Sequence, residues 1–330
     1  MKIPACLPAL ASTVTSAAVS VSTSATTPAA PTVAASTTPV GLLVPLYEYP
    51  TGTTATADWQ ALIDAIDAHP QLPFYVIVND GNGPPYSPNP PSSMPDWAQW
   101  IDLINARSNA KTIGYIYTSA SARDYATLTS AVDQYAAWTT TAGFTNNASA
   151  YDIHIDGIFF DEIDTQPSKL SNNVALTTYA KTAFAGRGGP VVLNPGTLVQ
   201  AGSESLFDLA DSILQIETCY AKSSEATDPG NVLRCPAGGY TPFTTATPAT
   251  LGTNATRSAK SSIVVHDFYE QWSPFEAASA ASLQAGIDAV VNQGVHSFYF
   301  TTYGYTTNFT SAPASITDVA AYAAQIQNLS

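Results

Sequence analysis

Charge is scarce in this chain. Only 11% of its 330 residues are charged, and Lys and Arg number 11 against 25 Asp and Glu, for a net charge of -14. A field of that sign repels phosphate backbones and anionic headgroups, so nucleic acid is a poor partner and a polycation a good one. Histidine is equally sparse: His69, His154, His266 and His296 show no ligand spacing such as His-x-x-x-His, so a zinc site has no support. His69 and His154 are expected at the surface. A Gly-x-Ser-x-Gly elbow is missing and Gly81-Asn82-Gly83 lacks the phosphate-cradle pattern, so acyl transfer and nucleotide chemistry fall away. No metal and no organic cofactor is expected. After the N-terminus no apolar run reaches the length of about 18 residues that a membrane span needs. The polar stretch from Gln325 to Ser330 is no hydrophobic tail, so neither a span nor a lipid anchor is expected.

Cysteine is limited to Cys6, Cys219 and Cys235. Residues 1–18 carry Lys2, an apolar stretch from Ile3 to Ala11 and the small residues Ser16-Ala17-Ala18, the shape of a secretory signal. Its removal takes Cys6 with it. Cys219 and Cys235 then remain to close one disulfide, for which a loop of that size is worth ~3 kcal/mol in the chain-entropy model. Four acceptor sequons, at Asn147, Asn254, Asn308 and Asn328, point the same way, toward a secreted protein of the extracellular space or cell wall. Residues 19–39 are almost wholly Ser, Thr, Ala, Pro and Val without charge, and read as a stalk that buries too little to offset its ordering entropy. The folded domain is expected over residues 40–330, as a monomer.

What the chain does have is apolar substance, 45% of its residues, arranged from Gly41 onward as short β-rich runs separated by helical patterns. Eight of each can be counted. The strands are expected at Leu42–Tyr47, Phe74–Asn79, Thr112–Tyr117, Asp156–Phe160, Val191–Asn194, Ser212–Glu217, Ile263–His266 and Ser297–Phe300. Helices announce themselves where apolar residues recur at three and four, as in Trp59-Leu62-Ile63-Ile66, Leu128-Val132-Tyr135 and Ile316-Val319-Ala323-Ile326. Phe207-Asp208-Leu209 supports only a short one. Runs such as Ile158-Phe159-Phe160 are continuously apolar, as strands covered on both faces are. The pattern is that of an α/β protein, a (β/α)8 TIM-type barrel.

In such a barrel, functional groups sit at the C-terminal ends of the strands. Those ends supply Tyr47, Asn79, Tyr117, Asp161 with Glu162, Asn194, Glu217, His266 with Asp267, Tyr269 and Tyr303. Asp161 and Glu162 emerge directly from a buried strand, where an unpaired charge is expensive and therefore informative. Adjacent strand positions point to opposite faces, so only one of the two is expected to reach a substrate directly; the bland alternative is that one of them merely caps the following helix or binds Arg123. Glu217 ends a strand two positions further around. Two carboxyl groups so placed can flank a glycosidic bond, one as nucleophile or base and the other as acid. Tyr47, Tyr49, Tyr117, Tyr220, Tyr269 and Trp272 offer flat apolar faces with polar tips for sugar rings.

From about Val44 onward the chain resembles the spherulin-4 (spherulation-specific) proteins, also classed as glycoside hydrolase family 135. The resemblance lies in Val44-Pro45-Leu46-Tyr47-Glu48-Tyr49-Pro50, the turn from Asn79 to Pro85, Ile113-Gly114-Tyr115-Ile116-Tyr117-Thr118 with Arg123, and Asp156-Gly157-Ile158-Phe159-Phe160-Asp161-Glu162. It continues in Asn194-Pro195-Gly196 and in Ala210-Asp211 leading to Glu217. It departs at Gly83-Pro84-Pro85, where Gly-Pro-Gly is usual, at Ala120 in place of a tyrosine, and in an insertion after Tyr86. The resemblance implies a secreted fungal or slime-mould-type barrel. It also implies endo-cleavage of α-1,4-linked N-acetylgalactosamine or galactosamine in galactosaminogalactan, with Asp161, Glu162 and Glu217 needed for activity. The expected roles are Asp161 as nucleophile, Glu217 as general acid/base and Glu162 as their support, with Tyr47, Asn79, Tyr117, Asn194, His266, Tyr269 and Tyr303 around the polysaccharide. The rival from another class is a non-catalytic wall or spore-coat protein that uses the same groove to bind polysaccharide.

Overall fold

The computed structural model describes residues 38–50, 52–79, 81–84, 95–138, 151–220, 241–271, 275–304 and 310–329. The chain divides into two units, Met1–Ala34 and Ala35–Ser330, and every described residue belongs to the second. The expected signal segment, most of the expected stalk, Asn147, Asn308, Cys235 and Trp272 lie outside the described residues.

In chain order the unit runs β1 (Gly41–Leu46), α1 (Gly52–Ala68), β2 (Phe74–Val78), α2 (Pro95–Asn105), β3 (Ala110–Tyr117), α3 (Tyr125–Ala137), β4 (Gly157–Asp161), α4 (Leu170–Ala183), β5 (Val191–Leu193) and α5 (Leu206–Leu209). It continues with β6 (Ser212–Cys219), α6 (Ala255–Ser258), β7 (Ser261–His266), β8 (Tyr269–Gln271), β9 (Glu276–Ala277), α7 (Ala280–Asn292), β10 (Ser297–Phe300) and α8 (Ile316–Ile326). Eight parallel strands close in the order β1-β10-β7-β6-β5-β4-β3-β2. The fold is the (β/α)8 barrel that the sequence pattern calls for. The helical layer is thinner than eight full helices beside β5 and β6, where α5 and α6 are single turns. Between β7 and α7 the small antiparallel β8–β9 pair is added.

Continuously apolar strands follow from burial on both faces. On β3, Gly114 faces outward, and a Cβ there would come within 2.6 Å of the Tyr135 ring of α3, so only glycine lets that helix lie so close. Its neighbours Tyr115 and Tyr117 therefore point inward. On β4 a Cβ at Gly157 would fall 2.1 Å from the Pro190 carbonyl oxygen. The closeness there lets β4 and β5 pair Ile158 with Val191 and Phe160 with Leu193, which sets Asn194 beside Asp161 at the barrel's C-terminal end. Helix starts are capped by side chains: Asp124 accepts from the Thr127 amide, Ser279 from Ser282 and Ser315 from Asp318.

Candidate active site

A groove of about 790 Å³ opens at the C-terminal ends of the strands, and Tyr47, Asp161, Glu162, Asn194, Gly196 and Glu217 line it. Its centre is one amide. Asn194 Nδ2 donates to Asp161 Oδ1 at 2.7 Å and to Glu217 Oε2 at 2.8 Å, while its Oδ1 accepts from the Gly196 amide at 2.7 Å. The Gly196 N–H fixes which way the amide faces, because an oxygen turned toward the two carboxylates would leave three acceptors in contact. The turn closes back on β6, where the Glu217 amide donates to the Gly196 carbonyl at 3.1 Å. Gly196 has φ +64°, a conformation glycine adopts without strain. Since both carboxylate oxygens bond the same nitrogen, they lie no more than about 5.5 Å apart, the separation of acid pairs that work by double displacement.

Asp161 has a second donor, the Tyr115 hydroxyl, on Oδ2. Burial raises Asp161 above the usual carboxylate range, while the Tyr115 and Asn194 hydrogen bonds pull the other way. Burial and then the Asp161 charge hold Tyr115 far above its ordinary value, so the phenol stays a donor. Tyr47 sits edge-on to Tyr115 with ring centroids 5.4 Å apart, and it too is held protonated by burial and then by Asp161. Asp161 is thus oriented by two neutral donors, one of which it shares with Glu217.

Two local irregularities bring the acids together. In β6 the register slips by one residue between Leu214 and Ile216, so that Leu214 pairs with Ser262 but Glu217 with Val264. The extra residue, Gln215, is buried and anchored by its own side chain, donating to Ser261 Oγ at 2.6 Å and accepting from the Val199 amide at 3.2 Å. This bulge resets the alternation, so Leu214 and Glu217, three apart in sequence, pair with Ser262 and Val264, two apart, and share one face of β6. At the end of β4, Glu162 takes φ +53°, a left-handed conformation that breaks strand alternation. Asp161 and Glu162 both line the groove as a result, whereas plain alternation would send one of them away. Thr118 Oγ1 holds the turn by donating to the carbonyls of Asp161 and Glu162 at 2.8 and 2.7 Å. Arg123 pairs with neither acid; it donates to the Tyr117 carbonyl at 2.8 Å.

The other expected site residues are placed as follows. Asn79 folds its side chain onto its own loop, Oδ1 accepting from the amides of Gly81 and Asn82 at 2.9 and 3.1 Å. Tyr117 is half-buried at the end of β3. His266 is fully buried at the end of β7, its Nδ1 2.8 Å from Asp267 Oδ2. Tyr269 and Tyr303 flank the exposed Phe275, at centroid distances of 5.9 and 5.8 Å. Cys219 is buried at the end of β6. Asn254 and Asn328 are exposed, and Asn254 caps α6 through Oδ1 at 3.1 Å from the Arg257 amide. His69 and His154, expected at the surface, are half-buried, His154 Nδ1 lying 2.7 Å from Asp152. Among the described residues no group of three or more His, Cys, Asp or Glu could hold a metal, and no helix is long and apolar enough to cross a membrane. Tyr115 escapes a reading confined to strand ends, although its shared parity with Tyr117 marks it as inward-facing.

A closed parallel barrel whose strand ends converge on a carboxylate pair bridged by an amide defines a (β/α)8 protein with an acid site in the place where such barrels carry their chemistry. The chain belongs to the spherulation-specific family 4 (Spherulin4), whose pattern it matches over residues 41–323. It is 30% identical over 171 residues to Spherulin-4 of Physarum polycephalum, covering 51% of this chain and 43% of that one, so it spans less than half of that relative's length. In fold it is similar to Aspergillus clavatus Sph3, solved in complex with GalNAc, with a TM-score of 0.64, 21% identity, and coverage of 87% of this chain and 98% of that one. A chitinase of Chromobacterium violaceum is less similar, with a TM-score of 0.47 and 13% identity over 87% of this chain and 99% of that one.

Proposed function

We propose that the protein is a secreted, endo-acting glycoside hydrolase that cleaves an α-1,4-linked N-acetylgalactosamine or galactosamine polymer by double displacement. The observation that carries this reading is the single Asn194 amide bonded to both Asp161 and Glu217. Asp161, held by Tyr115 and Asn194, attacks the anomeric carbon. Glu217 gives its proton to the glycosidic oxygen as that bond breaks, and a glycosyl ester on Asp161 results. Water, deprotonated by Glu217, then opens the ester and releases the sugar, which returns both carboxyl groups to their starting state. Glu162 lies alongside, where its charge supports the oxocarbenium-like transition state. The amino sugar is supported by the family membership and by the GalNAc held in a structure of the same fold.

Export is part of the proposal: a cleaved leader before a Ser/Thr-rich stalk, Cys219 joined to Cys235, glycans at the sequons, and a monomer. At Asn254 the helix cap uses Oδ1, so Nδ2 is the atom open to a glycan. Thiol labelling of the denatured, unreduced protein should find no free cysteine in the mature chain. The function itself is tested by mass spectrometry of products after incubation with purified galactosaminogalactan and, separately, with chitin. Short amino-sugar oligomers from the first support the reading, and binding without products would assign the groove to recognition alone. The first-formed anomer, followed by proton NMR, should retain its configuration.

A further inference from the structure

Beside the groove stands a second acid pair that the hydrolytic reading does not use. Glu48 follows Tyr47 after β1, and Asp58 lies in α1 and is fully buried. Asp58 Oδ1 accepts the Thr310 amide at 3.2 Å, but its Oδ2 is sealed from solvent without a donor, and so is Glu48 Oε2. The Glu48 carbonyl lies against Trp59, the residue next to Asp58, and the charge of Asp58 bears on the Glu48 carboxyl. Among the described residues no Lys, Arg or His forms an ion pair with either. Among the described residues Tyr299 of β10 also senses Asp58, and burial and then the Asp58 charge keep it protonated. Two ionised carboxylates here would leave two buried acceptors facing each other, whereas one proton makes a donor and an acceptor of them.

We infer that Glu48 and Asp58 share a single proton in the folded protein, and that this proton braces the β1 rim against α1, making Glu48 a positioning residue for Tyr47. The backbone at Glu48 is tied to the same helix, its carbonyl accepting Trp59 Nε1 at 3.0 Å. From there the support runs through the Tyr47 ring to Tyr115, which bonds Asp161. Burial and then the Asp58 charge push Glu48 from its ordinary 4.5 up to about 7. The unfolded chain therefore releases this proton at a lower pH than the folded one. Stability falls as pH rises between those two values, by up to about tenfold in the folding equilibrium constant per pH unit, and levels off above the upper one.

The test is made on the intact chain with its tryptophans labelled with nitrogen-15. The Trp59 indole resonance, assigned through Trp59→Phe, reports the Glu48 carbonyl and should move with a midpoint near 7 in the parent. In Glu48→Gln the side-chain amide donates permanently to Asp58, and the movement should vanish together with the extra loss of melting temperature on the alkaline side. Asp58→Asn, which supplies the donor from the other partner, should do the same and serves where Glu48→Gln fails to fold. A Trp59 resonance that stays still from about pH 5 to 9 in the parent, or titrates equally in the variants, overturns the shared proton. The claim that Tyr47 is positioned for catalysis rests on the hydrolase reading. The resonance needs no substrate, so the two ideas fail separately.

Discussion

The two ends of the barrel treat carboxylates in opposite ways. At the N-terminal end, Asp67 takes Arg107 through both oxygens at 2.8 and 2.7 Å, Asp156 takes Lys111 at 3.1 Å, and Asp211 takes Lys181 at 2.6 and 2.8 Å. Backbone amides complete the last two, Thr112 on Asp156 at 3.1 Å and Val191 on Asp211 at 2.8 Å. At the C-terminal rim, Asp161 is bonded by a phenol and a carboxamide, and the same carboxamide reaches Glu217. A cation beside a carboxylate neutralises it and makes it a strut. Neutral donors orient a carboxylate and leave its charge to meet positive charge developing on a substrate. The residue type is the same at both ends; the partner decides whether it is structure or reagent.

Exchanging the charges one end at a time is the sharpest way to break that comparison. Asp161→Asn and Glu217→Gln should each lower kcat by roughly 10³-fold or more while melting stays near the parent, because in the proposed mechanism each removes a group that acts on the reacting bond. Asp156→Ala should do the reverse. It leaves the buried Thr112 amide unsatisfied and should cost about 2 kcal/mol in a urea titration while turnover stays near the parent. A loss of turnover from Asp156→Ala as large as from Asp161→Asn would erase the distinction between the ends.

Asn194→Ala sharpens the comparison at the rim itself. It removes one donor from each acid at once and should lower kcat by about 10²-fold, as loss of a well-aimed donor does. The Asn194 hydrogen bond lowers the proton affinity of Asp161, so its loss should raise that affinity further. In the proposed mechanism Asp161 attacks as a carboxylate, so the acid limb of the pH-rate profile should move to higher pH in the variant. An unmoved limb would separate that limb from Asp161.

Much of this was legible in the residues. The eight strands, their order around the barrel and the cluster of Asp161, Glu162, Asn194 and Glu217 follow from apolar runs and the polar residues that end them. Less legible were the places where alternation fails. Nothing in Leu214-Gln215-Ile216-Glu217 announces a bulge, because its cause is tertiary, the pairing of the Gln215 side chain with Ser261 and Val199. Glu162 is read as pointing away from Asp161 until its left-handed backbone is seen. Asn79 stands where a substrate contact is expected, yet its short amide reaches two amides of its own turn, a local competition that a strand-end count does not weigh. Tyr115 was hidden for the opposite reason. A residue below the rim matters because its side chain is long enough to reach the rim from inside.

The left-handed Glu162 gives a smaller effect with two signs. Glu162→Gly relieves a conformation that costs a non-glycine residue about 1 kcal/mol or more, so the unfolding free energy from a urea titration should rise by roughly that amount. The same change removes a carboxylate from the groove and should lower kcat, though by less than Asp161→Asn. A variant that gains stability and loses rate would mark the strain as kept for position. A variant that loses both would place the turn among the struts.

The smallest expected effect reaches furthest from the reacting bond. The N-terminal Lys and Arg ion pairs cancel charge locally, while among the described residues Asp161 and Glu162 at the rim form no such pair, on a chain of net charge -14. An acidic groove attracts an ammonium group, so a deacetylated galactosamine unit should be drawn in more strongly than its neutral acetylated counterpart. Salt contracts that field to about 8 Å at physiological ionic strength. Added sodium chloride should therefore lower kcat/KM for deacetylated oligomers several-fold relative to acetylated ones at fixed pH, the scale of a surface-charge effect on association. The ratio of the two is the quantity to follow, because general effects of salt on the fold cancel in it. A flat ratio would mean that the rim's charge is felt only at bonding distance, by the atoms that react. Choice between the two sugars would then rest on the neutral donors, with Asn194 and Tyr47 the first to substitute.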